Sequence, residues 1–561
     1  MADYSTLKAA ITAVIRTNYN EEITGQILQD VLIGVVDALG SGYLLMGVAT
    51  PATSPGTPDE NVAYLAATNG TYTNFGGLTV GDEVALLVWD GSWHKQSLAN
   101  AFTAAERTKL AGIEAGAQVN PPIDSALSDS STNPVQNKVI TSHITALESQ
   151  VFARDLSYID PLTGIQMGVR NTANTYVVRE SGKYRIPLVY GNGVKRNVIN
   201  AAAYTRLDSE YTADFVNHLG NLILSPFIEA HTGCVAASAG LLWQTGTDLI
   251  ASVDLAAGVD CRYIEFTVNN IPTTNGLAVL YVKDAYGNIM WSWTIWLTTD
   301  DLTPQVQTNY QGVDYDMMPE NLGAIWNAER TKCVAPHYQW GRKDPMCPPA
   351  TYNSNINMNL YDIDGNLYAG FGNYGVADDS DGGGTERSVT NSIKMPNKFF
   401  LEYDATKYNW NNLEWFNNFW NAAETLSSSL DDNQDTAVKT IYDPSLPGMM
   451  LPSGRFATGF TTTGGNTSTA AEFNVVGAFD NGWHFKRRNL DLDGAYYPAA
   501  GYRRRTSGSL YDVGSGGCVW TFAPDSQANA RLLGFGSGGV NPLNASRRAG
   551  GFSVRSSREI N

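Results

Sequence analysis

Two acidic stretches have the composition of a calcium loop, Asp362-Ile-Asp-Gly-Asn and Asp378-Asp-Ser-Asp-Gly-Gly-Gly. The first lacks the spacing and the closing bidentate Glu of an EF-hand, and turn chemistry accounts for both, so no metal or cofactor is expected. The histidines, His94, His143, His218, His231, His337 and His484, form no His-x-x-x-His pair and read as structural or surface residues. Five cysteines, Cys234, Cys261, Cys333, Cys347 and Cys518, are odd in number and make no Cys-x-x-Cys, so neither a disulfide scaffold nor a zinc site follows. Carboxylates are abundant, but nothing singles out a pair across a sugar cleft. No catalytic residue is therefore assigned. The chemistry that remains is binding. Eight Arg against two Asp lie between residues 503 and 558, interspersed with Tyr, Phe and Ser, on a chain of net charge −18. Arg and Tyr make strong contacts at little ordering cost. A locally basic face implies an anionic or protein-loop partner, and binding that weakens in high salt.

The elements that must position these residues are mostly short strands. The 561 residues are too many for one core, and Gly (54), Tyr (28) and Trp (13) are plentiful while charge is sparse at 16%. The acidity opposes a nucleic-acid partner, and no run of 18 apolar residues proposes a membrane span. The N-terminus lacks the basic start and apolar stretch of a secretory signal, so release by lysis within a particle is expected. Residues 1–42 hold two amphipathic helical stripes, Leu7-Ile11-Val14 and Ile27 to Leu39, which suit either a helical hairpin or an anchor on a larger assembly. Residues 43–100 read as a small β module with strands near Val62, Thr71 and Val84 and a hairpin turn at Asp90-Gly91. Within 101–152, Ile140, Ile144, Leu147 and Val151 form a short heptad seam. Residues 153–325 read as a β-sandwich, with a strand-turn-strand at Tyr176–Tyr190 and a hairpin from Ala278 to Trp296 around Ala-Tyr-Gly-Asn. A helix is expected over 409–423, with Leu413, Phe416, Trp420 and Ala423 on one face.

Several of these stretches resemble known families. Phe102-Thr-Ala-Ala-Glu-Arg-Thr-Lys-Leu through Asn120, and Ser131-Thr-Asn-Pro-Val-Gln-Asn-Lys-Val, resemble segments that recur in phage tail-fibre shafts. The resemblance implies a parallel homotrimer with residues 1–42 attaching to tail or baseplate proteins. Residues 153–325 resemble an immunoglobulin-like module, although Thr175 stands where relatives often have Cys. From 326 to 561, His337-Tyr-Gln-Trp-Gly-Arg-Lys-Asp-Pro, Tyr442-Asp-Pro-Ser-Leu-Pro-Gly-Met-Met-Leu-Pro-Ser-Gly-Arg-Phe and Gly551-Phe-Ser-Val-Arg resemble the fibrobacter-type major paralogous domain. That domain is C-type-lectin-like, and its kinship with formylglycine-generating enzymes raises oxidation chemistry. Cys518 has no partner thiol for it. Ser445 replaces a common Cys. The implied class is multidomain and mostly β with an α+β C-terminus: helical anchor, small β module, short helical shaft, Ig-like sandwich and lectin-like domain.

Residues 497–561 further resemble the variable regions of retroelement-diversified phage tropism proteins, in which adenine-rich codons are randomised between fixed framework residues. Residues 489–558 contain no Lys, Glu, Met, His or Ile. Adenine changes in an Asn codon yield Ser, Thr, Gly, Ala, Asp, Arg, Tyr, Cys, Leu, Val and Phe, but not Lys, Glu, Met, Trp or Gln. Tyr502, Trp520, Leu532, Phe535 and Phe552 fall to the framework, and Gln527 fits the varied set poorly. The resemblance assigns receptor binding to Arg503, Arg504, Arg505, Thr506, Ser507, Ser509, Tyr511, Asp512, Ser515, Cys518, Val519, Thr521, Phe522, Ala523, Asp525, Ser526, Ala528, Asn529, Arg531, Ala545, Ser546 and Arg547. The expected function is a virion tail-fibre protein that binds a host cell-surface receptor, protein or glycan. A secreted surface adhesin is the alternative, and a depolymerase-type tailspike enzyme a further one.

Overall fold

The computed structural model describes residues 42–66, 68–81, 85–97, 153–205, 215–375, 388–402, 409–411, 418–423, 437–526 and 528–559. The helical anchor expected in 1–42, the shaft and heptad seam of 101–152, and the acidic run at Asp378 lie outside them. The chain divides into two compact units, Met1–Gln136 and Asn137–Asn561. What is described is mostly β and built from many sheets. No helix among the described residues is long and apolar enough to cross a membrane.

The first unit is a four-stranded sheet in the order Leu44–Ala49, Val62–Ala66, Ala85–Trp89, Trp93–Ser97. The strands expected near Val62 and Val84 are present, and Asp90-Gly91 turns the last hairpin, with Gly91 at φ 109°. The first two strands pair in parallel, joined by the proline-punctuated stretch 50–61. Alternate side chains reach one small core, where Phe75 meets Trp93 edge-on at 4.7 Å.

In the second unit, two four-stranded sheets face each other. One has the order Ser238–Gln244, Gly276–Lys283, Ile289–Leu297, Thr175–Val178, and the other Ile250–Ala256, Tyr263–Val268, Gly182–Pro187, Arg154–Asp155. Tyr184, Ile186, Ile264 and Phe266 from the second meet Leu280, Val282, Trp291, Trp293 and Ile295 from the first in one core. The strand-turn-strand at Tyr176 is therefore no hairpin. Thr175–Val178 pairs in parallel with Ile289–Leu297, whereas Gly182–Pro187 joins Tyr263–Val268 in the other sheet. Residues 179–181 carry the chain across.

The Ala278–Trp296 hairpin forms as expected, its turn held by Asp284 Oδ1, which accepts from the Tyr286 and Asn288 N–H groups at 2.9 and 2.8 Å. All nine residues of Ile289–Leu297 are buried. Trp291 and Trp293 point into the inter-sheet core; Trp296 points the other way, into a second core with Trp340, Trp420, Trp520 and Phe552. A strand covered on both faces must be apolar almost throughout. The regions on either side of residue 325 thus share both large cores.

The helix expected over 409–423 is not what the described residues form. Asn409–Asn411 and Asn418–Ala423 are irregular, and Leu413 and Phe416 lie outside the described residues. The asparagines explain this. Asn418 Oδ1 accepts from the Trp420 and Asn421 N–H groups at 3.0 and 3.1 Å, and Asn409 Oδ1 from that of Trp410 at 2.8 Å. Such local bonds compete with a helical ladder. Val389–Lys394 is the one α-helix in the described part of the C-terminal region, so the expected α+β character reduces there to a β structure with one short helix.

That region holds a seven-stranded sheet. Its main path runs Leu510–Val513, Ala500–Arg503, Gly551–Val554, Gly516–Pro524, Asn529–Gly536, Gly539–Arg547, and Tyr338–Gln339 pairs with Gly551–Val554. Gly551–Val554 runs parallel to Gly516–Pro524; the other pairs are antiparallel. Ser557–Arg558 continues into a second sheet, between Asp314–Met317 and Met449–Met450.

Candidate binding cleft

One face of the seven-stranded sheet carries a cleft of about 300 Å³. It is lined by Tyr502, Arg503, Arg504, Arg505, Cys518, Leu532, Asn544, Ala545, Ser546, Arg547, Gly550 and Phe552. Strand alternation decides who reaches it. Side chains two apart share a face, so Cys518 looks into the cleft while its neighbour Val519 packs with Leu533 and Phe535 on the far side.

The floor is aromatic. Tyr502 lies 5.7 Å from Phe552 and stacks on Tyr511 at 6.0 Å, and Phe552 meets Trp520 edge-on at 4.5 Å. The turn from Ala500–Arg503 to Leu510–Val513 is closed by the Gly508 N–H donating to the Arg504 carbonyl at 2.7 Å. Gly508 sits at φ 64°, and a Cβ there would come 2.0 Å from Asn373 Oδ1, so only glycine fits.

The expected basic face is far less basic than its arginine count. Arg503 is buried: Nη1 donates to the Gly508 carbonyl at 2.8 Å, Nη2 to Asn357 Oδ1 at 2.6 Å and to the Cys347 carbonyl, and the guanidinium lies over Phe371. Burial lowers it to about 10, which leaves it cationic at neutral pH. Arg548 and Arg555 are buried as well, over Trp340 and Tyr497. Arg505 pairs with the buried Glu402 at 2.5 Å, Arg531 with Asp525 at 2.5 Å and Arg558 with Asp316 at 3.2 Å. Arg547 donates to Asn529 Oδ1 at 3.1 Å. Arg504 differs. It is exposed, donates from Nη1 to the Tyr511 hydroxyl at 3.2 Å, lies 4.5 Å over that ring, and has no carboxylate partner among the described residues.

Of the assigned binding residues, the cleft gathers Arg503, Arg504, Arg505, Cys518, Ala545, Ser546 and Arg547. Ser509, Tyr511, Asp512 and Ser515 are exposed on and beside the Leu510–Val513 edge strand, next to the cleft rather than in it. Thr506 and Ser507 are half-buried in the turn, where Asn373 Nδ2 donates to the Ser507 carbonyl at 2.6 Å. Asp525, Ser526, Ala528, Asn529 and Arg531 form a half-buried group at the far hairpin. Val519, Thr521, Phe522 and Ala523 are corrections, as is Arg503 in part. All are buried, the four because they run through the middle of Gly516–Pro524 with cores on both faces. Tyr502, Leu532, Asn544, Gly550 and Phe552 line the cleft without having been assigned to binding; pairing of Leu532 with Trp520 and with Asn544 puts both on the Cys518 face, and that alternation is the signal for these two.

Reactive chemistry is not favoured in this cleft. Burial, and then Asp512, push the Cys518 thiol up to about 12, so it stays protonated. Elsewhere Cys234, His218 and Asp284 fall in line, with Sγ–Nδ1 at 4.0 Å and Nε2–Oδ2 at 3.4 Å. Cys234 and His218 are both fully buried, however, and burial raises the thiol and lowers the imidazole, the reverse of an activated pair. Asp362 Oδ1 accepts from the N–H groups of Asp364 and Asn366 at 3.0 and 2.8 Å, which is turn closure. No group of three or more His, Cys, Asp or Glu suited to a metal occurs among the described residues.

Comparison with known proteins found no matching family model, no matching curated protein and no matching solved structure.

Proposed function

We propose that this chain is a receptor-binding protein of a phage tail fibre, which attaches the virion to a bacterial surface through the cleft on the seven-stranded sheet. One observation carries the reading: segments 502–505, 518, 532, 544–547 and 550–552 converge on a single concave face of the stretch whose composition departs from the rest of the chain. Rigid strands that bury their other face leave such side chains able to vary without disturbing a core. The tail-fibre-like wording at Phe102–Asn120 and Ser131–Val139 supports the virion context. In this reading residues 1–42 attach to the tail, 101–152 trimerise, 153–325 is the immunoglobulin-like spacer and 326–561 the lectin-like head. The protein performs no catalysis.

The test uses fluorescently labelled full-length chain on a panel of bacterial strains, beside Ser546→Trp, whose side chain shares the Cys518, Leu532 and Asn544 face and fills the cleft. Wild type is expected to stain at least one strain, and the variant, melting at the same temperature, to stain none. Equal staining by both moves the contact away from the cleft. Sedimentation gives an elongated trimer if the shaft assembles, and a compact monomer removes that part.

A further inference from the structure

Arg504 is held ready for a ligand. A guanidinium has five N–H donors, of which one goes to the Tyr511 hydroxyl, and the Tyr511 ring beneath fixes its plane. The remaining donors form the fork that recognises a carboxylate in bidentate fashion. Arg505 and Arg531 already hold carboxylates, Arg503 is buried and Arg547 donates to Asn529 Oδ1, so Arg504 is the guanidinium exposed at this mouth. An anionic group of the partner would meet it there.

The rest of the cleft describes the molecule that carries the carboxylate. Its floor carries the rings of Tyr502 and Phe552, tilted 30° to each other, with Phe552 largely buried. Its wall is polar. Asn544 turns Oδ1 to the Ala545 N–H at 2.9 Å, which leaves its amide as a donor, and Ser546 adds a hydroxyl. At about 300 Å³ it lies at the small end of ligand sites, enough for one ring and its substituents. A body with one apolar face, a rim of hydroxyls and one carboxylate is a sugar acid. A protein partner is the weaker fit, because protein interfaces are anchored by large apolar side chains in well-packed contact. Between Gly494 and Glu559 the described residues leave one such side chain exposed, Tyr511, and Arg504 covers it.

We infer that the cleft binds one acidic pyranose residue, a uronic or ulosonic acid of a surface polysaccharide, with its carboxylate on Arg504, its ring on Tyr502 and Phe552, and its hydroxyls toward Asn544 and Ser546. The inference rests on the receptor-binding reading and narrows its partner to a glycan.

The test is binding of full-length chain to a panel of immobilised bacterial polysaccharides that contain uronic or ulosonic acids, each beside its carboxyl-reduced form. At least one acidic glycan is expected to bind, its reduced form at least tenfold more weakly. Arg504→Gln should lose tenfold or more, and Arg504→Lys less, since an ammonium keeps the charge but not the fork. Arg558→Gln, an exposed arginine away from the cleft, should bind as wild type. Equal binding of acidic and reduced forms, no binding of either, or an unchanged Arg504→Gln overturns the inference. Stained cells separate it from the broader reading. Staining that Ser546→Trp abolishes but proteinase K also abolishes means a protein receptor, which sinks the sugar acid and keeps the cleft. Staining indifferent to Ser546→Trp sinks the cleft itself.

Discussion

Two hairpins of the same length and pairing serve opposite ends. Gly276–Lys283 with Ile289–Leu297 lies between two cores, and its second strand is buried at every position. Asn529–Gly536 likewise sends Ala530 and Leu532 to one core and Leu533 and Phe535 to another, but in its partner Gly539–Arg547 the last five residues are all half-buried. The first spends its side chains on cohesion between the facing sheets and the C-terminal region. The second leaves Asn544 and Ser546 half-buried on the cleft face. The difference teaches that the backbone pattern does not separate scaffold from binding surface. What separates them is whether a second layer covers the outer face.

Substitutions in the first hairpin and at the cleft beside the second should differ in effect. Trp291→Ala empties a site packed by Tyr190 and Tyr442 and removes the indole bond to Asn174 Oδ1 at 3.0 Å. It is expected to cost about 3–5 kcal/mol in denaturant unfolding. Arg503→Gln strands the carbonyls of Gly508 and Cys347 and should cost about 2–3 kcal/mol. Arg504→Gln, one residue on, should change stability by less than about 0.5 kcal/mol while removing the salt dependence of binding.

A pH series sharpens the contrast further. Burial, with Asp300 beside it, pushes the Glu320 carboxyl up to about 8, and Trp326 Nε1 donates to both acids, at 3.2 Å to Glu320 and 3.1 Å to Asp300. The folded carboxyl keeps a proton that the unfolded chain releases above its ordinary value of 4.5. Folding therefore takes up a proton, and that stability, full below pH 4.5, is lost as pH rises through about 8. Relative to Glu320→Gln, wild type should lose melting temperature steadily over this window and run parallel above it. The opposite sign belongs to His337, which burial lowers to about 3, so the fold loses stability as pH drops from 6.5 toward that value. Neither group lines the cleft, so any ligand binding there, at fixed folded fraction, should not follow either curve.

The sequence made the local features legible and hid the nonlocal ones. The tryptophan hairpin was readable because its turn chemistry and its β-rich flanks lie within twenty residues. The parallel pairing of Thr175–Val178 with that hairpin joins segments more than a hundred residues apart, and no local pattern marks it. At the cleft, composition marks a stretch that contributes lining residues but does not say which side chains face it. Arg503, Arg504 and Arg505 are three identical letters. The pleat sends the first into the core, while the turn exposes the second and sets the third against Glu402. Thr521, Phe522 and Ala523 failed for the same reason, since consecutive strand residues cannot all face a ligand. The aromatic floor was passed over because Tyr502 and Phe552 look like packing residues, and they serve as both packing and surface.

The placement of Ser557–Arg558 between Asp314–Met317 and Met449–Met450 bears on how this protein is made. Arg558 and Asp316 are 242 positions apart, so as the chain leaves the ribosome the earlier strands wait, edges unpaired, for the strand that seals them. At about 5–20 residues per second that interval lasts on the order of tens of seconds. Exposed strand edges in such an interval invite pairing with neighbouring chains. Assembly of this region is thus obliged to follow synthesis rather than accompany it, and its yield should respond to folding helpers that shield open sheet edges.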